Sequence, residues 1–244
     1  STKFVLPAGG ALTATVGVSI TGDLQVEGDE SFKLRLLQVT GAEVLDNEGV
    51  GTILNDDSAT VRVVGGSALE ASGVLSVALA LSAPVDVDVS VAVSTTDGTA
   101  INASGDYTPT SAQIITFAAG SVTQTVAISI VDDTLVEGNE TISVTIGELN
   151  ANGRSVTIGT ASGAGTILAD DYATLALSPA VTASEGNVGS TTVPFTVTLT
   201  GEVQDGFDLA YRLNDGSAHN GSDYPSQSGE LLFAGNPGES HLIS

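Results

Sequence analysis

An all-β fold follows from three features of the 244-residue sequence. Apolar residues alternate with polar or small ones in several short runs, clusters of Gly, Asp, Asn and Pro separate those runs, and no segment keeps a 3.6-residue apolar stripe for three turns. Period-two patterning buries one face of a strand, and turn residues between such strands point to antiparallel hairpins. The abundant Val, Ile and Thr suit a pleated surface. About seven such strands in roughly 100 residues predict an immunoglobulin-like antiparallel β-sandwich, here in tandem.

The tandem is written in the sequence. Val26-Glu27-Gly28-Asp29-Glu30 recurs as Val136-Glu137-Gly138-Asn139-Glu140, and Gly51-Thr-Ile-Leu-Asn-Asp-Asp57 as Gly165-Thr-Ile-Leu-Ala-Asp-Asp171. Asp97-Gly-Thr-Ala100 is echoed by Asp215-Gly-Ser-Ala218, and Gly105-Asp-Tyr107 by Ser222-Asp-Tyr224. Three copies result: the later part of one over 1–57, a whole one over 58–171, and the earlier part of a third over 172–244. Phe4 and Phe233 both align with Phe117.

Strands are expected in order along these copies. The first offers three, near 12–20, 31–39 and 49–55. In the middle copy, Ala59 to Val64 and Val74 to Leu81 alternate weakly. Val85, Val87, Val89, Val91 and Val93 alternate strictly, as do Val122 to Ile130 and Ile142 to Ile146. The third copy offers four, near 173–178, 192–200, 207–213 and 230–234. The first and third parts together hold the strands of one sandwich. The tail of one chain completing the head of an identical one, in a head-to-tail fibre, is therefore one expectation. The other is that the sequence samples a longer array of neighbouring repeats.

Charge narrows the function classes. Asp and Glu number 29 against 6 Lys and Arg, a net charge of −23. Nucleic acid and anionic membrane would be repelled. Without cysteine there are no disulfides, thiolate zinc sites or Cys nucleophiles. No run approaches the ~20 apolar residues of a membrane helix, so no direct membrane insertion is expected, and no signal peptide pattern is visible. Gly-x-Ser-x-Gly is absent and the two histidines, His219 and His241, lack partners, so no catalytic residue is assigned.

The acids gather at expected strand ends. In the middle copy these are Glu70, Asp106, Asp132, Asp133, Glu137, Glu140, Asp170 and Asp171. Strand ends converge at the poles of a sandwich, and two carboxylates ~5 Å apart repel by about 3 kcal/mol at an effective dielectric near 20. With almost no Lys or Arg nearby, a hard divalent cation is the economical solution. Calcium takes 6–8 oxygens in irregular geometry, magnesium demands a tighter octahedron, and zinc prefers nitrogen or sulfur. Asp97 and Asp215 read as turn formers before Gly, Tyr107 and Tyr224 as corner packing, and Arg154 as a hairpin loop charge.

The run Asp97-Gly-Thr-Ala, Gly105-Asp-Tyr107, Phe117-Ala-Ala-Gly120, Asp132-Asp133, Glu137-Gly-Asn-Glu140 and Ile167-Leu-Ala-Asp-Asp171 resembles Calx-β domains, the calcium-binding repeats of sodium–calcium exchangers and of large surface proteins. The resemblance implies a cluster of calcium ions at one pole, held by the eight acids just named. It departs at Ala169, where the exchanger-type closing run has an aspartate. The same mapping gives Asp23, Glu27, Glu30, Asp56 and Asp57 in the first copy, where Gly22 replaces the first of the aspartate pair, and Glu185 and Asp223 in the third. The expected function is a set of calcium-binding structural repeats of an extracellular surface protein, adhesin or fibre. A regulatory calcium sensor of a transporter is the alternative. A carbohydrate-binding module is a third, disfavoured by 4% aromatic residues.

Overall fold

The computed structural model describes residues 13–244. Phe4 and the start of the first expected strand lie outside the described residues. The first copy contributes β1 (Glu30–Arg35) and β2 (Glu48–Ile53). The middle copy contributes β3 (Ala59–Leu69), β4 (Val74–Leu81), β5 (Val89–Asp97), β6 (Gln113–Phe117), β7 (Thr123–Ser129), β8 (Leu135–Val136), β9 (Glu140–Asn150), β10 (Val156–Ile158) and β11 (Ser162–Leu168). The third contributes β12 (Thr174–Leu177), β13 (Phe195–Thr200), β14 (Glu202–Val203), β15 (Phe207–Arg212), β16 (Ser228–Phe233) and β17 (Ser240–Ile243).

The middle copy is a two-layer sandwich. One layer runs β10-β3-β4-β7 and the other β6-β5-β9-β11-β3, so β3 belongs to both. Its first half pairs antiparallel with β4. After the irregularity between Val63 and Gly65, its second half pairs in parallel with β11 from Gly66 to Leu69. Glycine makes the crossing possible. Gly65 adopts φ +102°, a region closed to most side chains, and a Cβ on Gly66 would run into the Ser76 carbonyl of β4. The sequence pattern ended this strand at Val64, because a Gly-Gly pair reads as a terminator.

Between the layers lies the core that the alternation predicts. Leu75, Val77 and Leu79 of β4 meet Val89, Val91 and Val93 of β5, with Val126, Ile128, Ile142, Val144 and Phe117, all 1% exposed or less. At about 25 cal/mol per Å2 of apolar surface, each such side chain contributes about 1.5–3 kcal/mol against chain entropy. The third copy holds a smaller core of Val197, Leu199, Phe233 and Ile243, in which Phe207 and Phe233 stack with centroids 5.0 Å apart.

Three expectations need correction. Residues 13–20 form no strand: among the described residues of the first copy, none takes the place of β4, the partner of the corresponding β7. The alternation from Val85 begins a strand only at Val89, since Val85 is engaged in a bridge to Val26 of the first copy. Finally, β17 went unpredicted: Ser240-His-Leu-Ile243 is too short to register a period, yet it pairs with β13 as β7 does with β4.

Arg154 is also more than a loop charge. Its Nε and Nη2 donate to the two Asp86 carboxylate oxygens at 2.6 and 2.8 Å, and its guanidinium lies against Gly28 of the first copy. The pair holds the Asp86 carboxyl below its ordinary range. Such a bidentate pair fixes the loop before β10 against the turn before β5. Urea denaturation of Arg154→Ala should show a lowered midpoint, and an unchanged one would rule that role out.

Candidate metal centre

One pole of the middle sandwich collects the acids. Glu70 opens a single 3-10 turn between β3 and β4 and is 6% exposed. Asp132 and Asp133 follow β7, Glu137 follows β8, Glu140 begins β9, and Asp170 and Asp171 follow β11. Asp106 sits in the loop between β5 and β6. That loop is strapped down at both ends: the Asp106 carbonyl accepts from Val131 N at 3.0 Å, and Thr141 N donates to Thr99 Oγ1 at 2.8 Å.

Carboxylate oxygens of Glu70, Asp170 and Asp171 lie within 4.8 Å of one another, the one such cluster of metal-ligating side chains among the described residues. Burial pushes the Glu70 carboxyl up from 4.5 to about 7, reinforced by the charges of Asp133, Glu137, Asp171 and Asp132. Glu140 is likewise pushed up to about 7, by burial first and then by Asp106 and Glu137. Glu137 and Asp171 are raised for the same two reasons, burial foremost. Asp132, Asp133, Glu137, Glu140 and Asp171 thus share one field with Glu70, Asp106 joins it through Glu137 and Glu140, and Asp170 lies beside Asp171.

The donor set fits a hard cation. All its side-chain donors are oxygens, no Lys or Arg ion pair forms within it, and Asp171 Oδ2 is buried without a hydrogen-bond partner. A buried acceptor with nothing to accept from is costly, the more so when charged. A cation among Glu70, Asp170 and Asp171 would remove that cost.

The raised carboxyls fix a sign. The folded protein binds protons more tightly than the unfolded chain does, so this stabilisation is complete below pH 4.5 and is lost as pH rises through about 7. Asp86 and Asp97, both depressed, act oppositely, but only as pH falls below their ordinary 3.8. Metal-free protein should therefore melt at a higher temperature at pH 5.5 than at pH 8. A melting temperature climbing steadily over that interval would contradict the described pole.

The other copies place their acids differently. In the first, Glu27 is raised by burial, Glu30, Asp23 and Asp86, and lowered by Arg154. Asn55 stands where the closing run begins. Its Oδ1 accepts from Glu27 N at 3.1 Å and its Nδ2 donates to the Asp57 carbonyl at 2.9 Å, fixing that run beside Glu27, while Asp56 is exposed. In the third copy Glu185 is exposed in an irregular segment, and Asp223 accepts from His219 N at 2.7 Å within its own turn.

Some residues carry more than the sequence suggested. Asp97 accepts the Tyr107 hydroxyl at 2.7 Å and Asn102 N at 3.1 Å, and Asp215 repeats this with Tyr224 at 2.5 Å and Asn220 at 2.8 Å. These aspartates are clamps for the whole loop, and the depressed Asp97 carboxyl reflects the Tyr107 bond first. Asn139 Oδ1 accepts from Ala169 N at 3.1 Å, and Asp29 does the same for Asn55 N at 3.1 Å. The recurring fourth position of the Val-Glu-Gly-Asx-Glu motif carried that signal.

The Calx-beta domain profile matches residues 55–172 and again 169–242. No curated protein matches the chain. Among solved structures, a crystal structure of the apo-form Calx CBD1 domain is 21% identical, covering 47% of this chain and 100% of that one at a TM-score of 0.41. The calcium binding domain CBD12 of CALX1.1 is 22% identical over 75% of this chain and 73% of that one, at 0.42. A two-domain Bacteroides fragilis protein of unknown function is 11% identical over 64% and 69%, at 0.32.

Proposed function

We propose, on the premise that this chain belongs to the Calx-beta domain family, that it is a run of calcium-binding structural repeats of an extracellular surface protein, adhesin or fibre. The observation that carries this is the trio of buried Glu70, exposed Asp170 and half-buried Asp171, with an orphaned Asp171 oxygen, at the handover from one repeat to the next. Only two residues, Tyr172 and Ala173, separate Asp171 from β12 of the following repeat.

When bound, calcium supplies positive charge and accepts 6–8 oxygen donors. Glu70, Asp170 and Asp171 would hold it, with Asp106, Asp132, Asp133, Glu137 and Glu140 completing the pole. The chain's own contribution is to bring these carboxylates together despite their repulsion and to fix them with the Asn139 and Thr99 straps. Neutralising the pole stiffens the handover, whereas mutual repulsion loosens it. Calcium outside cells is plentiful enough for sites as weak as ~10^-4–10^-3 M.

Neighbouring repeats, of the same or an identical chain, are the partners. The β1–β2 hairpin corresponds to β9 and β11, which in the middle copy flank β5 and β3. A second chain's hairpin could add to β15 in that way, and sedimentation velocity at rising concentration would detect the growth. A strictly monomeric species dismisses the fibre.

Small-angle scattering of the full chain tests the main reading. Chelator should enlarge the radius of gyration and lower the melting temperature, and indifference of both rejects it. Calorimetric titration separates the alternative, since a transporter sensor would bind at ~10^-7–10^-5 M.

A further inference from the structure

The valine of the Val-Glu-Gly motif recurs in sequence, yet the metal pole makes no use of it. In the structure it faces the next repeat. Val26 of the first copy forms a parallel bridge with Val85 of the second: Val26 N donates to the Pro84 carbonyl at 2.9 Å, and Asp86 N donates to the Val26 carbonyl at 3.1 Å. At the other junction Val136 pairs in parallel with Val203 of the third copy, and Gln204 N donates to the Val136 carbonyl at 3.0 Å.

The two contacts occupy matching places. Val26 and Val136 are equivalent by the motif, and Val85 and Val203 lie in corresponding turns ahead of β5 and β15. Val26 is fully buried and belongs to the core of the repeat that follows it, and Val203 packs against the Phe233 core of its own repeat. The side chains around the two bridges differ. Asp86 is held by Arg154 at the first junction, whereas Gln204 Nε2 donates to Glu137 Oε1 at 3.2 Å at the second. What recurs is the main-chain pairing and its register.

We propose that consecutive repeats dock through this parallel valine bridge, a register-specific joint in which each repeat's motif valine is received by the turn valine of its successor. The receiving surface is an edge of backbone donors and acceptors with an apolar seat, and its partner is the motif segment of the preceding repeat. Because Glu137 follows Val136 directly, the joint also sets where that carboxylate enters the acidic pole. This last step rests on the metal reading above, and the joint itself does not.

The chain has no cysteine, which makes the test clean. Paired strands lie about 4.8 Å apart, within the Cα separation a disulfide tolerates. Val136→Cys with Val203→Cys in the full chain should oxidise to an intramolecular disulfide at least about tenfold faster than Val136→Cys with Glu202→Cys, whose side chain points to the opposite face. Equal rates, or no disulfide in either pair, overturn the joint. Amide exchange on the unmodified chain gives a second reading: the Asp86 and Gln204 N–H groups should be protected at least about tenfold, and free exchange at both overturns the joint without any substitution. Calcium alone, titrated in parallel, separates the two ideas. A chain that binds no calcium yet forms the 136–203 disulfide loses the metal reading and keeps the joint. One that binds calcium without cross-linking loses the joint alone.

Discussion

Saturating calcium should raise the melting temperature of the chain by about 10–20 °C, and Glu70→Gln should reverse the sign of its own effect according to whether the ion is present. The first figure follows from mass action. A ligand at a hundred times its dissociation constant stabilises the folded state by about 2.7 kcal/mol, and a sandwich of this size shifts about 4–8 °C per kcal/mol. The second follows from Glu70 being buried among like charges, with its carboxyl pushed up to about 7. A displacement from 4.5 to about 7 corresponds to roughly 3 kcal/mol of strain in the ionised form. At pH 8 with chelator, Glu70→Gln should gain on the order of 1–3 kcal/mol. With calcium the same variant lacks a charged donor, and affinity should drop at least about tenfold. Chemical denaturation with and without calcium reads both signs, and a variant destabilised equally in the two conditions would show Glu70 to be merely structural.

Replacing Gly66 by alanine should be among the most damaging single changes to the middle repeat. The added methyl would meet the Ser76 carbonyl, a backbone group that cannot swing aside, at the point where β3 leaves one layer for the other. Overpacking against side chains costs about 1–3 kcal/mol, and against a fixed backbone the cost should reach or exceed the top of that range. The β4 ladder to β7 or the β3 ladder to β11 must open to relieve it. Circular dichroism melting should show a loss of about 10 °C or more, and a fall of only 1–2 °C would mean that the crossing has slack.

How far the sequence carried can be judged residue by residue. The valines of β4 and β5 and the Val126 and Ile128 pair were legible because burial of one face enforces a period of two along an unbroken strand. Limits blurred where a strand's behaviour depends on a neighbour. Val85 alternates like β5 but bonds to the preceding repeat, residues 13–20 alternate without a strand partner among the described residues, and β3 continues through glycines that signal a stop. At the pole the acids were legible as residue types at strand ends, since charge without counter-charge is visible in composition. Their ties were not. The Asp97–Tyr107 clamp, the Asn139 strap and the Arg154–Asp86 pair join positions 10 to 68 apart through geometry that only folding supplies.

The parallel pairing of β3 with β11 links the strand that enters the middle repeat to the one that leaves it, over Gly66 to Leu69 and Gly165 to Leu168. Tension applied to the chain on either side would load those bonds lengthwise and simultaneously, in shear, rather than peeling them open singly. Each intact sandwich thus resists a pull as a unit, and extension under load would begin in the segments that lie between such clamps.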